Sequence, residues 1–151
     1  MKLIQNTSDI LLALGVAGMY KAPIRDFCID SRKAKQNSVF VGLTGSNADG
    51  SIFCDDAFSN GAAFAIIKAK KGMDANKLNY KTLSVASPEK ALAQLAQVAL
   101  KNFTGPVIGI TGSNGKTTTK NILNTGIKNS FSTFKNFNNE LGLPLCALML
   151  D

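Results

Sequence analysis

The sequence predicts an α/β fold in two units: a small one over residues 1–86, and a second over residues 87–151 that holds only the start of a parallel sheet. Three observations carry this. Short runs of β-branched and aromatic residues alternate with segments of helical periodicity. Ser87-Pro88 opens a fresh helix after the last strand of the first unit. Finally, the apolar run Val107-Ile108-Gly109-Ile110-Thr111 breaks into Gly112-Ser113-Asn114-Gly115-Lys116-Thr117, a strand that ends in a small-residue loop.

In chain order, Thr7 or Ser8 caps a short helix in which Ile10, Leu11, Leu12 and Leu14 lead to Gly15. Strands are predicted over 25–30 and 39–43, with the polar stretch 31–38 as the turn between them. A helix presents Phe53, Ala57 and Phe58 on one face and stops at Asn60-Gly61, ahead of a strand over 62–67. Residues 72–81 read as a loop and 82–86 as another strand. Ser87 then caps a helix with Pro88 in its first position, where the missing N–H costs nothing. Leu92, Leu95, Ala96, Ala99 and Phe103 follow at helical spacing as a core stripe. Gly105-Pro106 breaks the chain before a strand over 107–111, and a helix over 116–127 is weakened near its end by Asn124 and Gly126. A strand over 131–135 and a short apolar helix over 143–150 complete the prediction. These last pieces are too few to make a doubly wound sheet covered on both faces, so the second unit reads as unfinished.

Composition narrows the function classes. An apolar share of 45% in 151 residues is enough for a core, and no apolar segment reaches the ~20 residues of a membrane helix. There is no signal-peptide pattern, so cytoplasm is the expected location and membrane insertion is not expected. Cys28, Cys54 and Cys146 lack metal-site spacing and read as buried free thiols. The absence of His removes the commonest metal ligand and general base. The net charge of +7 comes from scattered lysines, apart from Lys68-Ala69-Lys70-Lys71 in a predicted turn; without aromatics interleaved, nucleic acid is not the expected partner. The excess suits an anionic, nucleotide-like substrate instead.

The loop 112–115 carries the most specific chemistry. Gly112 and Gly115 can adopt backbone angles closed to other residues, letting the amides around Ser113 and Asn114 converge on phosphate oxygens. Lys116 would meet the terminal phosphates, Thr117 would place a hydroxyl on Mg²⁺, and Thr118 is near enough to donate to a phosphate. Ile110 stands where the longer nucleotide-loop pattern has Gly, so the match is to a Gly-x-x-Gly-Lys-Thr variant. The plain alternative is a glycine-rich turn with an exposed lysine. Asn138 and Asn139 allow two readings of equal weight, ligand orientation or a polar turn capping the next helix. Ser31 and Arg32 are a solvated strand end or a site in which the guanidinium pairs with a diphosphate.

Together, Thr111-Gly112-Ser113-Asn114-Gly115-Lys116-Thr117-Thr118-Thr119 and Asn136-Phe137-Asn138-Asn139-Glu140-Leu141-Gly142-Leu143-Pro144 resemble the Mur ligases, the ATP-dependent amide-forming enzymes of bacterial cell-wall precursor synthesis. Asp30-Ser31-Arg32, Ser38-Val39-Phe40-Val41-Gly42-Leu43, Gly45, Asp49-Gly50 and Asn60-Gly61-Ala62-Ala63 resemble the family's N-terminal UDP-binding domain. Ser51 departs from the His that many relatives carry after Asp-Gly. The resemblance implies a UDP-binding domain over 1–86 followed by the start of a P-loop, ATP-binding domain over 87–151. Within the family the Asn-Phe-Asn-Asn-Glu form is similar to the members that add D-alanyl-D-alanine to UDP-N-acetylmuramoyl-tripeptide.

What the resemblance implies for the site follows residue by residue. Gly112, Ser113, Asn114, Gly115, Lys116, Thr117 and Thr118 would bind ATP, with Lys116 catalytic. Thr117 and Glu140 would hold Mg²⁺, and Ser31, Arg32, Asn138 and Asn139 would bind substrate. The tripeptide carboxylate would attack the γ-phosphate to give an acyl phosphate that the D-alanyl-D-alanine amine displaces. A full-length parent would be a monomer and this piece inactive. Two other readings stand beside this one: a UDP-sugar-binding module that catalyses nothing, and a related ligase such as the diamino-acid-adding enzyme or a folate polyglutamate ligase.

Overall fold

The computed structural model describes residues 4–45, 49–101, 103–134 and 139–150. Its centre is a sheet whose strands, numbered along the chain with β4 at Lys77–Asn79, lie in the order β1-β2-β3-β5-β4. Strands β1 (Asp26–Cys28), β2 (Ser38–Gly42), β3 (Phe64–Lys68) and β5 (Thr82–Val85) run parallel, with Phe40 opposite Ala65 and Ile66 opposite Leu83. Both sheet faces are covered, which is why β2 and β3 read as unbroken apolar runs. On one face Val39, Val41, Phe64, Ile66, Leu83 and Val85 meet three helices: α1 (Thr7–Ala13), α3 (Pro88–Lys101) and α5 (Gly142–Ala147). On the other, Phe40, Ala65 and Ile67 meet Ala57 of α2 (Cys54–Ser59).

Several local expectations hold for the reasons given. Gly61 takes a φ of +103° just after α2, in the left-handed region that a helix stop requires. The Ser87 hydroxyl accepts from the Lys90 amide at 3.2 Å, and Leu92 and Leu95 are fully buried.

Others are corrected. The cap of α1 is Asn6, whose side chain accepts from the Asp9 amide at 3.2 Å while the Asp9 carboxylate accepts from the Asn6 amide at 3.0 Å. Thr7 is buried instead, its hydroxyl donating to the Tyr20 carbonyl at 2.6 Å. The stretch read as a loop over 72–81 contains β4 (Lys77–Asn79), antiparallel to β5 with Leu78 opposite Leu83. Lys77-Leu78-Asn79 alternates, but three residues are too short a run to mark a strand; a tight turn at Tyr80-Lys81, with Tyr80 at a φ of +53°, folds them back onto β5. A 3₁₀ turn over Gly50–Phe53 precedes α2, and another over Ser31–Lys33 follows β1.

The largest correction concerns the second unit. Residues 107–111 form no strand, and Val107 is 71% exposed. A parallel strand needs neighbours to satisfy its backbone and layers to cover its faces, and no described residue pairs with this run. Residues 131–134 likewise form no strand; Phe131 and Phe134 pack edge to face at 5.5 Å. Position 135 lies outside the described residues. Helix α4 (Lys116–Gly126) forms as expected but buries no residue.

Candidate functional site

The loop that opens α4 has the backbone its glycines foretold. Gly112 lies at a φ of +146° and Gly115 at +78°, both in the region that side chains disfavour. Gly115 is the residue before the first helical turn and has no side chain with which to cap it. The first hydrogen bond of the helix runs from the Thr119 amide to the Gly115 carbonyl at 2.9 Å. The amides of Lys116, Thr117 and Thr118 therefore lack intrahelical acceptors and carry the positive end of the helix dipole. A side chain on Gly115 would meet nothing within 4 Å, so the bend is open rather than packed.

Lys116 arches back over this bend, its ammonium donating to the carbonyls of Gly112 and Ser113. Ser113, Asn114, Thr117 and Thr118 are exposed around it. An ammonium, the free amides of the first helical turn and the hydroxyls of Ser113, Thr117 and Thr118 thus lie together on one exposed loop and helix start. Such an arrangement can bind a polyanion.

Glu140 is exposed in the turn before α5, and neither it nor Thr117 has a side-chain partner among the described residues. A hydroxyl and a free carboxylate are hard oxygen donors of the kind Mg²⁺ takes. Among the described residues no group of three or more His, Cys, Asp or Glu could hold a metal by itself, so a cation here would need oxygens from its ligand. Asn139 spends its side-chain oxygen on the Gly142 amide at 2.7 Å, the polar turn that was one of its two readings, which leaves its side-chain nitrogen uncommitted in that contact. Asn138 lies outside the described residues.

Ser31 and Arg32 sit apart from that loop, at the carboxyl end of β1. In parallel sheets this edge is where ligands are received, because the loops leaving the strands converge there. Ser31 is buried, and its carbonyl accepts from the Asn60 side-chain amide at 3.1 Å. The Arg32 guanidinium is 86% exposed and forms a two-pronged pair with Asp30 at 2.9 Å. That hydrogen bond holds the Asp30 carboxyl below the usual carboxylate range.

The same edge contains Asp49 and Gly50 of the resemblance, together with Thr44 and Glu89, which the sequence reading passed over. The Asp49 carboxylate accepts from the Ser51 amide at 2.9 Å, a bond that lowers its pKa. Thr44 bridges back to Asp49, and the Gly50 amide donates to the Leu43 carbonyl at 3.0 Å. Glu89 accepts from the Thr44 amide at 3.4 Å and from the Ser87 hydroxyl at 2.7 Å. Burial pushes the Glu89 carboxyl up, but these bonds, one from its own backbone and the charge of Lys68 together outweigh it and leave the pKa lowered. An acid in the first turn of a helix is so ordinary that nothing in the sequence marks it.

The cysteines are free thiols as expected, with Cys146 buried and Cys28 and Cys54 half-buried. Burial pushes Cys28 up to about 12 and Cys54 up to about 11. No helix among the described residues is long and apolar enough to cross a membrane.

The chain is similar to known proteins in sequence and in fold. A UDP-N-acetylmuramoyl-tripeptide--D-alanyl-D-alanine ligase of Buchnera aphidicola is 33% identical over 99% of this chain and 33% of its own length. The MurF ligase of Thermotoga maritima, solved in complex with ADP, is 41% identical and superimposes with a TM-score of 0.67 over 82% of this chain and 29% of that one. The D-alanyl-D-alanyl ligase of Acinetobacter baumannii superimposes with a TM-score of 0.75 at 31% identity, over 94% of this chain and 32% of that one. The chain thus spans about a third of the length of the curated relatives it matches. The family model described as "Mur ligase family, catalytic domain" matches residues 23–99, which take in the whole parallel sheet and most of α3. With its α/β fold, its carboxyl-edge loops and its Gly-x-x-Gly-Lys-Thr turn, the chain belongs to the Mur ligase family.

Proposed function

We propose that this chain is the N-terminal portion of an ATP-dependent ligase that joins D-alanyl-D-alanine to UDP-N-acetylmuramoyl-tripeptide. The observation that carries the nucleotide half of this reading is the open bend at Gly112–Gly115, ringed by the Lys116 ammonium and the free amides of α4. A relative solved with ADP at 41% identity supports it.

In this reading residues 1–86 receive the UDP-sugar and residues 87–151 begin the ATP-binding part. Ser31 and Arg32 take the UDP end at the sheet's carboxyl edge, and Asn138 and Asn139 orient substrate nearer the phosphates. The tripeptide carboxylate and the ATP γ-phosphate are both anionic, so their approach needs cations and fixed donors. Lys116 and the loop amides of Gly112, Ser113, Asn114, Gly115, Thr117 and Thr118 supply these. They stabilise charge that spreads over the transferring phosphoryl group as the bond to ADP breaks and the bond to the carboxylate forms. The amine of D-alanyl-D-alanine then displaces phosphate from the acyl phosphate, leaving the amide. Thr117 and Glu140 are the residues that would hold Mg²⁺, which supplies further neutralisation of phosphate charge when bound.

The test is ADP release by the full-length ligase, assayed with each substrate omitted in turn. Release that needs both the tripeptide precursor and D-alanyl-D-alanine is the expected result. Release supported by a diamino acid and a shorter peptide precursor in their place would assign the chain to a different ligase of the family.

A further inference from the structure

Glu89 joins two parts of the molecule that are far apart in sequence. One carboxylate oxygen accepts from the Ser87 hydroxyl at 2.7 Å within the first turn of α3, and the other accepts from the Thr44 amide at 3.4 Å, 45 residues upstream. Thr44 lies just beyond β2, at the base of the loop that Gly50 and Asp49 close from the other side. That base leaves no slack: a side chain on Gly50 would come within 2.4 Å of the Leu43 carbonyl oxygen. β2 is the direct neighbour of β1, whose carboxyl end carries Ser31 and Arg32. Helix α3, for its part, leads down the chain to the Gly112–Gly115 bend.

Helix capping accounts for the Ser87 contact but not for the reach to Thr44. Ser87 already supplies a cap by accepting from the Lys90 amide, and an acidic residue in the first turn interacts with the helix dipole wherever its other oxygen points. The contact with a backbone amide of a different loop fixes the relative position of two segments instead. Backbone amides at a strand's carboxyl end are among the groups that a ligand at this edge would meet, so their orientation matters for binding.

We propose that Glu89 is a positioning residue for the sugar-nucleotide, locking the base of the loop after β2 against the first turn of α3. This rests on the reading of the carboxyl edge as the UDP-sugar site. Glu89 touches no substrate in this scheme; it acts through Thr44.

The test is calorimetric titration of the whole chain with UDP-N-acetylmuramoyl-tripeptide, alongside amide hydrogen exchange at Thr44 without ligand. Glu89→Ala should weaken binding about tenfold and speed exchange at Thr44. Glu89→Gln keeps a carbonyl acceptor and should restore most of the affinity. Ser87→Ala, which removes the cap but leaves the Thr44 contact, should lower the melting temperature with affinity unchanged. Parent-like binding and exchange in Glu89→Ala would overturn the proposal alone. Equal losses of affinity in Glu89→Ala and Ser87→Ala would also overturn it, because they would reduce Glu89 to a capping residue. If the unsubstituted chain fails to bind, the carboxyl-edge reading falls and this proposal falls with it.

Discussion

The Lys116 ammonium donates to the carbonyl of Gly112, four residues upstream, so the cation is tethered to its own loop. A lysine held this way has its charge already in place, and an arriving phosphate needs only to replace carbonyl oxygens as the acceptor. A hydrogen bond to a charged partner contributes about 1.5–3 kcal/mol, which corresponds to roughly ten- to hundredfold in affinity. Lys116→Ala should weaken Mg-ADP binding by that factor in a calorimetric titration and abolish turnover in the full-length ligase. Full turnover by the variant would remove Lys116 from the site.

Leu92 is fully buried between the sheet and its helices, in one cluster with Phe64, Ile66 and Leu83. Truncation there leaves a cavity that the sheet cannot collapse to fill, at a cost of about 2–5 kcal/mol. Leu92→Ala should therefore lower the midpoint of urea unfolding sharply. Ile122→Ala on α4, where the side chain is 66% exposed, should leave it unchanged.

Asp49 has its pKa lowered by the Ser51 amide, so the folded state binds its proton less readily than the unfolded state does. The stabilisation from the ionised carboxylate is thus present above the unfolded value of about 4 and is lost as the pH falls through the lower folded value. Asp49→Ala should cost about 1 kcal/mol at neutral pH by removing a cap. Thermal melts of the two proteins should converge as the pH is taken from about 4 downward; a constant difference would show that the carboxylate charge plays no part.

Cys28, with its thiol pushed up to about 12, is almost wholly protonated near neutral pH. The thiolate is the reactive form, so alkylation at pH 8 should spare Cys28 in the folded protein and label it readily in urea. Rapid labelling in the native state would mean that the packing of Cys28 against the cluster around Phe40 and Ala65 opens.

The alternation of strands and helices over the first unit was legible in the sequence because each element rests on local chemistry that tertiary packing then reinforced, whereas the parallel sheet expected after residue 87 lies in 26–85 instead. Val39 to Val41 and Phe64 to Ile67 are apolar on both faces, Ser87-Pro88 is a strong helix start, and Gly112 and Gly115 announce a bend that other residues resist. Three-dimensional contacts decided the rest. β4 exists because the Tyr80 turn lays Lys77–Asn79 on β5, and residues 107–111 stay unpaired because no described strand lies beside them. Glu89 reaches Thr44 only once α3 is docked on the sheet. Periodicity and capping act over a few residues and are written in order along the chain. Pairing and long-range hydrogen bonds depend on which distant segments meet, and only the folded molecule determines that.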